Sequence, residues 1–377
     1  MKSFAQIPWF KMGLPPALLT AVLFGSNFLD AIPNLVSEVD ANTDIPTMQL
    51  RHRNIADNLY GVDFFDELHG IATGYYGTVL RTQDGGENWT WHSTGETELL
   101  RRVHMISTNE ALSIGHRGTI YRTDDGGGSW QAVHREADTM LRAVALSNDG
   151  QKGWAVGNRT TILRTEDGGQ TWKRQKLTGY TGRDLPTWNG LAILDSDTVA
   201  LAGEFGTLAF SSDGGESWTV KESPTGVTLN DIVGTQGGFL AVGLDGTAVA
   251  ITTQPNDYEL KALSTGSTEH LFALSIDANG EGVAVGRRSM LGVIGEHFSA
   301  IPISDSLEIS YNWFADVDVT ETGTLWSVGR RGLVAGSPSG GGEIQVKYRL
   351  GGFAPSVALP TRTANSNSAK ILSEAES

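Results

Sequence analysis

The sequence contains no cysteine. Disulfides, thiol nucleophiles and thiolate metal sites are thereby excluded. The compartment is not fixed by this, since an exported protein can dispense with disulfides. Positive charge is also scarce: 28 Lys and Arg stand against 43 Asp and Glu, a formal net charge of −15. Attraction of the whole chain to nucleic acid or acidic lipid is therefore not expected, although a local basic patch is compatible with that sum. The eight histidines (52, 69, 92, 104, 116, 134, 270 and 297) are scattered without close ligand spacing. No metal and no cofactor are expected on that basis.

Long apolar runs are missing too, except at the amino terminus. Lys2 and Lys11 flank an uncharged stretch from Met12 to Leu29, with its apolar heart at ALLTAVLF. A cationic start followed by such a run reads as an export signal. Gly25-Ser26-Asn27 offers small residues for cleavage but no Ala-x-Ala. The run is also just long enough to stay uncut as an anchor over residues 12–29. Residues 1–31 are thus expected to be an export signal or a membrane anchor, placing the protein in the periplasm. Residues 32–54 read as a linker or extra strand. Residues 351–377, rich in Ser, Ala, Thr and Asn, read as a disordered tail.

Glycine, in contrast, is abundant at 47 residues, and its placement is periodic. Short apolar runs end in Gly74, Gly115, Gly157, Gly203, Gly243, Gly286 and Gly329, spaced 40 to 46 residues apart. Seven copies of that length, each dense in strand signals, match the blades of a β-propeller. The expected fold is all-β: a seven-bladed propeller of four-stranded antiparallel blades over residues 55–350. Inner strands are expected at LYGVD, LRRVH, LRAVA, WNGLA, LNDIV, LFALS and WFADV. The second strand ends at the anchor Gly, a third follows a turn, and a fourth starts at a recurring Trp. Two candidates exist for the outer strand of the seventh blade: IQVKYR at 344–349, or a strand from before residue 55.

The recurring Trp closes a phrase written four times: TQDGGENW, TDDGGGSW, TEDGGQTW and SSDGGESW. The Asp of each copy (Asp84, Asp125, Asp167, Asp213) is placed to accept hydrogen bonds from the amides of its own turn. The paired glycines supply backbone angles that a β-carbon forbids. Trp89, Trp130, Trp172 and Trp218 then offer large apolar surfaces for packing between blades. Calcium binding needs six or more oxygen ligands, and each turn fixes one Asp. Four equivalent copies on four blades cannot line one axial catalytic pocket. The phrase is therefore read as a structural hairpin turn.

A second pattern has no such structural role. The inner-strand start and the turn after the second strand should share one end of the propeller, with the repeated phrase at the other. The second residues after the anchors are Tyr76, Arg117, Arg159, Phe205, Asp245, Arg288 and Arg331; the first residues add His116, Arg287 and Arg330. The second residues of the inner strands are Tyr60, Arg101, Arg142, Asn189, Asn230, Phe272 and Phe314. Both rings should converge near the axis. They gather eight arginines (101, 117, 142, 159, 287, 288, 330, 331) and no lysine. Arg is suited to bidentate recognition of carboxylates and to stacking on aromatic rings. The expected partner-binding residues are these eight arginines with Tyr76 and Phe205. Arg81, Arg122 and Arg164, on third strands, are read as structural.

The repeated phrase resembles the Asp-box, or bacterial neuraminidase repeat. Its combination with seven blades, the pattern G-x-R-G-T-I-x-R-T-x-D-G-G-x-x-W and an arginine patch resembles the photosystem II stability/assembly factor family. The resemblance covers most of residues 55 to 335 and is strongest from 70 to 218. It implies a non-enzymatic chaperone whose arginine patch meets a membrane protein or membrane complex; the chemistry of arginine points to acidic or carboxylate-bearing segments of that partner. The chain departs from the cyanobacterial pattern in lacking a lipid-anchor Cys, and it has no plastid-type transit peptide. The mode of action is carried over, and the client is not. The alternative is a sialidase-like glycoside hydrolase or glycan-binding propeller, with Tyr75, Tyr76, Glu204 and Asp245 in the ring. Against it, no Phe/Tyr-Arg-Ile-Pro motif is present, and sialidases use six blades. No catalytic residue is assigned.

Overall fold

The computed structural model describes residues 58–350, except 179, 181, 183, 256 and 338–341. The export or anchor segment, the linker and the carboxy-terminal tail inferred from sequence lie outside the described residues. Within them the chain forms seven four-stranded antiparallel sheets, each built from four consecutive strands. Blade 1 comprises Leu59–Phe64, Gly70–Gly74, Thr78–Thr82 and Thr90–Ser93. The inner strands of blades 2 to 7 are Leu100–Met105, Leu141–Leu146, Trp188–Ile193, Leu229–Thr235, Leu271–Ile276 and Phe314–Val319. Of the two candidates for the outer strand of blade 7, Gln345–Arg349 takes the place, paired to Leu333–Gly336. The ring closes by packing of blade 7 on blade 1, where Asp316 and Asp318 accept the amides of Val62 and Phe64 at 3.0 and 2.9 Å.

The second strands are largely apolar because they are buried on both faces, as Gly70–Gly74 and Val199–Gly203 illustrate. The core therefore sits between blades, in clusters that join residues of adjacent sheets. One unites Phe64, Leu80, Trp326 and Val334 across the closure. At these boundaries an outer aromatic of one blade packs on the preceding blade. Trp89 lies 6.0 Å from Trp326, centroid to centroid, and Trp218 packs in the cluster of Trp154. Blades 5 and 6 lack the repeated phrase and substitute other aromatics: Tyr258 stacks on Phe210 at 3.9 Å, and Phe298 joins the Leu240 cluster.

Two details differ from the sequence reading. Fourth strands begin one residue after the Trp, at Thr90, Gln131, Lys173 and Thr219, because the Trp side chain is committed to the blade boundary. Phe314 is not the second residue of its inner strand. It pairs with Gly329 as Leu59 pairs with Gly74, so it holds the buried first position. Ala315 is the true second residue.

The phrase turns are tied by a repeated set of bonds. Thr82 Oγ1 donates to Asp84 Oδ1 at 2.9 Å and accepts the Gly86 amide at 2.9 Å. The other oxygen of Asp84 accepts from the Asn88 side chain, and Asp125, Asp167 and Asp213 likewise accept from Ser129, Thr171 and Ser217. Burial alone would raise the Asp125 carboxyl, but bonds from Ser129 and Thr123 outweigh it and hold the group down at about 2. The third-strand arginines serve the same boundaries: Arg122 donates to the Gly168 carbonyl of the next blade, and Arg164 pairs with Glu216.

Candidate partner-binding site

Strand register places the inner-strand starts and the post-glycine turns at one end of the ring. Leu59 lies opposite Gly74, and Thr78 opposite Ser93, while Phe64, Gly70 and Thr82 mark the other end. At the first end, all seven inner strands skip one residue in register. The skipped residues are Tyr60, Arg101, Arg142, Asn189, Asn230, Phe272 and Ala315. Regular strands send neighbours to opposite faces, whereas a bulge sets two residues against one and re-aims a side chain. The consequence is visible at Arg101 and Arg102, consecutive residues that line the same cavity.

That cavity lies on the axis and has a volume of about 360 Å³. Tyr60, Arg101, Asn230, Phe272 and Ala315 line it from five blades, joined by Arg287 and Trp313. One residue deeper, the third positions read Gly61, Arg102, Ala143, Gly190, Asp231, Ala273 and Asp316. Four small side chains leave room for three charged ones. Arg102 reaches Asp231 at 3.5 Å and pairs with Asp316. Burial would lower Arg102, but Asp316 and Asp231 outweigh it and strengthen its charge. Deeper still, Asp63 and Asp318 face each other from blades 1 and 7. Burial and their mutual repulsion raise Asp63 well above its usual range, and Asp318 rises to about 7.

The arginines above this ion pair are differently placed. Burial, then repulsion from Arg142 and Arg102, bring Arg101 down to about 9. Burial also lowers Arg142, with Glu204 partly opposing it. The Nε atoms of both are buried and have no acceptor among the described residues. Next to them His116 is lowered by burial and by the same two arginines, so it is neutral near pH 7.

The post-glycine turns surround this mouth. Tyr76, Arg159, Phe205, Asp245, Arg288 and Arg331 all adopt positive φ, between 53° and 59°. A side chain in that conformation costs about 1 kcal/mol or more relative to the ordinary regions. Several turns are tied to the loop that enters the next blade. The amides of Arg331, Asp245 and Phe205 donate to Asn58 Oδ1, His270 Nδ1 and Thr228 Oγ1. The blade 2 turn is also held by the loop that enters its own inner strand, where Glu98 accepts the amide of Arg117 and the hydroxyl of Tyr121. Arg117, Arg159, Arg287, Arg288 and Arg331 are exposed, and Arg330 is half-buried with its Nη1 on the Tyr311 carbonyl. Tyr76 and Phe205 are 58% and 60% exposed.

None of the eight arginines forms an ion pair among the described residues, whereas Arg102, Arg122, Arg135, Arg164 and Arg174 all do. The end is nonetheless mixed in charge. Loops between blades bring Glu96, Asp138, Asp305 and Glu308 to it, and the turns bring Glu204 and Asp245. They also add exposed Met140, Leu185 and Tyr311. Glu204 spends one oxygen on the Thr187 amide at 2.9 Å, which makes it a loop tie.

The family described as photosynthesis system II assembly factor YCF48 matches residues 94–356, more than half of the chain. The chain belongs to this family. A comparison with curated proteins finds no match. Among solved structures, YCF48 bound to D1 peptide superposes with a TM-score of 0.57 at 17% identity, covering 76% of this chain and 93% of that one. YCF48 from Cyanidioschyzon merolae gives 0.59 at 18% identity, with coverages of 74% and 95%. An ancestral GH74 enzyme gives 0.60 at 13% identity, covering 78% of this chain and 47% of that one. At these identities the likenesses speak to fold alone.

Proposed function

We propose that this YCF48-family chain is an exported, non-enzymatic assembly factor that docks a membrane protein or membrane complex. The arginine-bearing end of the propeller is the docking surface, and acidic or carboxylate-bearing segments of the client are what it meets. The observation that carries this reading is the unpaired state of Arg101, Arg117, Arg142, Arg159, Arg287, Arg288, Arg330 and Arg331 among the described residues, on a protein of net charge −15. Guanidinium groups without an ion-pair partner, six on the post-glycine turns and two on inner strands, are available to carboxylates. Exposed Tyr76 and Phe205 add apolar anchors beside them. Family membership supports the scaffold reading, and a YCF48 structure holding a D1 peptide supports a polypeptide as the kind of partner. Residues 1–31 would bring the protein to the periplasmic side, cut free or held by residues 12–29.

The test is crosslinking and pull-down from native membranes with wild type and an R117E/R159E/R288E/R331E variant. The variant should stay folded and lose its membrane clients. Undiminished capture by a folded variant would remove the arginine end from consideration. Turnover of a fluorogenic sialoside by wild type, abolished in Glu204→Gln, would instead establish a hydrolase.

A further inference from the structure

The cavity on the axis has a more specific chemistry than the surface around it. Its lower boundary is the Arg102 guanidinium, already neutralised by Asp231 and Asp316 from blades 5 and 7. A chain therefore cannot thread through the ring at this level, and whatever enters does so end-on or as a protruding group. Above that boundary stand Arg101 on one wall and Arg287 on another, neither with a carboxylate partner among the described residues. Arg101 is the unusual one. Its Nε is buried without an acceptor, and Arg142 stands close enough to repel it. A like-charged, desolvated pair is unfavourable by itself, and an incoming anion relieves it. The remaining wall is aromatic: Tyr60 and Trp313 lie 5.5 Å apart, centroid to centroid, with Phe272 also on the cavity.

We propose that this axial well is a binding site for a carboxylate carried next to an aromatic or branched apolar group, with Arg101 and Arg287 holding the carboxylate and Phe272 and Trp313 the apolar part. Both halves of the ligand are needed, because cations alone would suit any anion and the rings alone any apolar group. A volume of about 360 Å³ is at the small end of ligand pockets and suits one or two residues of a peptide. The inference rests on the reading that this end of the propeller receives a partner, and it locates the anchoring subsite within it. The carboxylate can come from a chain end or from an internal acidic side chain flanked by apolar residues.

The experiment uses the full chain and three probes: acetyl-phenylalanine with a free carboxylate, acetyl-phenylalanine amide, and an amidated Phe-Glu-Phe peptide. Calorimetric titration should show binding of at least one acid probe, about tenfold or more tighter than the amide. Binding by the first acid marks a chain end, and binding by the second marks an internal carboxylate. R287Q, an exposed change, should weaken the acid about tenfold and leave the amide unchanged. R101Q should do the same while its Tm stays equal to or above that of wild type, since glutamine removes an unpaired buried cation. Equal affinity for acid and amide, no binding of either acid at millimolar concentration, or acid affinity unaffected by both variants would overturn the proposal. If the probes fail while R117E/R159E/R288E/R331E still loses its clients, the well alone is rejected and the docking surface stands.

Discussion

Arg102 on blade 2 and Asp231 on blade 5 meet across the propeller axis at 3.5 Å. The same guanidinium pairs with Asp316 on blade 7, so one side chain links three blades. Both carboxylates also accept amides of the next inner strand, Leu274 and Val62 at 3.0 Å each. Arg102→Met should therefore leave two buried carboxylates without their cation. The expected loss is about 3–5 kcal/mol, the cost of breaking a buried ion pair from one side. Differential scanning calorimetry measures it, and adding Asp231→Asn and Asp316→Asn to the same variant should recover part of the loss. A wild-type Tm in the single variant would show that the axial link is dispensable.

The deeper carboxylates make stability depend on pH. Asp318 is raised by burial to about 7, against a usual 3.8; the Phe64 amide opposes the rise and Asp316 adds to it. Between those two values the folded state binds more protons at this site than the unfolded state. Its contribution to stability therefore falls as pH rises from about 4 to 7 and is level above that. His104 acts in the other direction, since burial depresses it to about 4 and its neutral folded form is favoured as pH rises toward 6.5. A single variant tests the first effect, with the relief of Asp63 acting in the same direction. Asp318→Asn keeps an acceptor for the Phe64 amide, and its Tm advantage over wild type should grow between pH 5 and 8. A difference in Tm that is constant over that range would sink the assignment.

Two glycines, Gly86 in a hairpin turn and Gly95 in the loop between blades 1 and 2, separate steric from torsional roles. Gly86 has φ +76°, and a Cβ there would come within 2.1 Å of the Trp326 ring on blade 7. Gly95 has φ +80°, with nothing within 4 Å. Gly95→Ala should cost about 1–2 kcal/mol from the left-handed backbone alone. Gly86→Ala should cost that and about 1–3 kcal/mol more, because the blade boundary must open. Denaturant titration of the two variants tests this, and equal losses would argue that the second glycine of the phrase is chosen for torsion only.

Much of this architecture was legible in the chain because propeller blades repeat. The anchor glycines and the apolar second strands give the period directly, and the buried runs from Gly70 to Gly74 and from Val199 to Gly203 follow from it. What sequence reading missed depends on the bulge in every inner strand. Strict alternation sends Arg102 away from Arg101, yet the skipped register points both to the axis. The third column of the inner strands, with Arg102, Asp231 and Asp316 among Gly and Ala, carried the signal for the ion pair. The one-residue offset in blade 7 hid Trp313 and Ala315 for a similar reason, since WFADV offers two aromatic starts and only pairing to Gly329 decides between them. The carboxylates of the loops between blades escaped notice because those loops vary in length and have no shared column.

The left-handed turns suggest a trade between stability and binding that can be measured directly. Arg331 is exposed, has φ 55°, and donates its amide to Asn58 Oδ1 at 2.9 Å. Glycine takes that conformation without the steric cost of a β-carbon, so Arg331→Gly should raise stability by up to about 1 kcal/mol while keeping the amide bond. A residue selected only to shape the turn would be glycine, so the arginine must be retained for its side chain if the docking reading holds. Arg331→Gly should then weaken capture of membrane clients despite its higher Tm. Arg331→Lys provides the control, because it restores the backbone strain and the charge but not the planar fork. Capture by the lysine variant should fall between wild type and glycine. Full capture by the stabilised glycine variant would show that this position contributes nothing to docking.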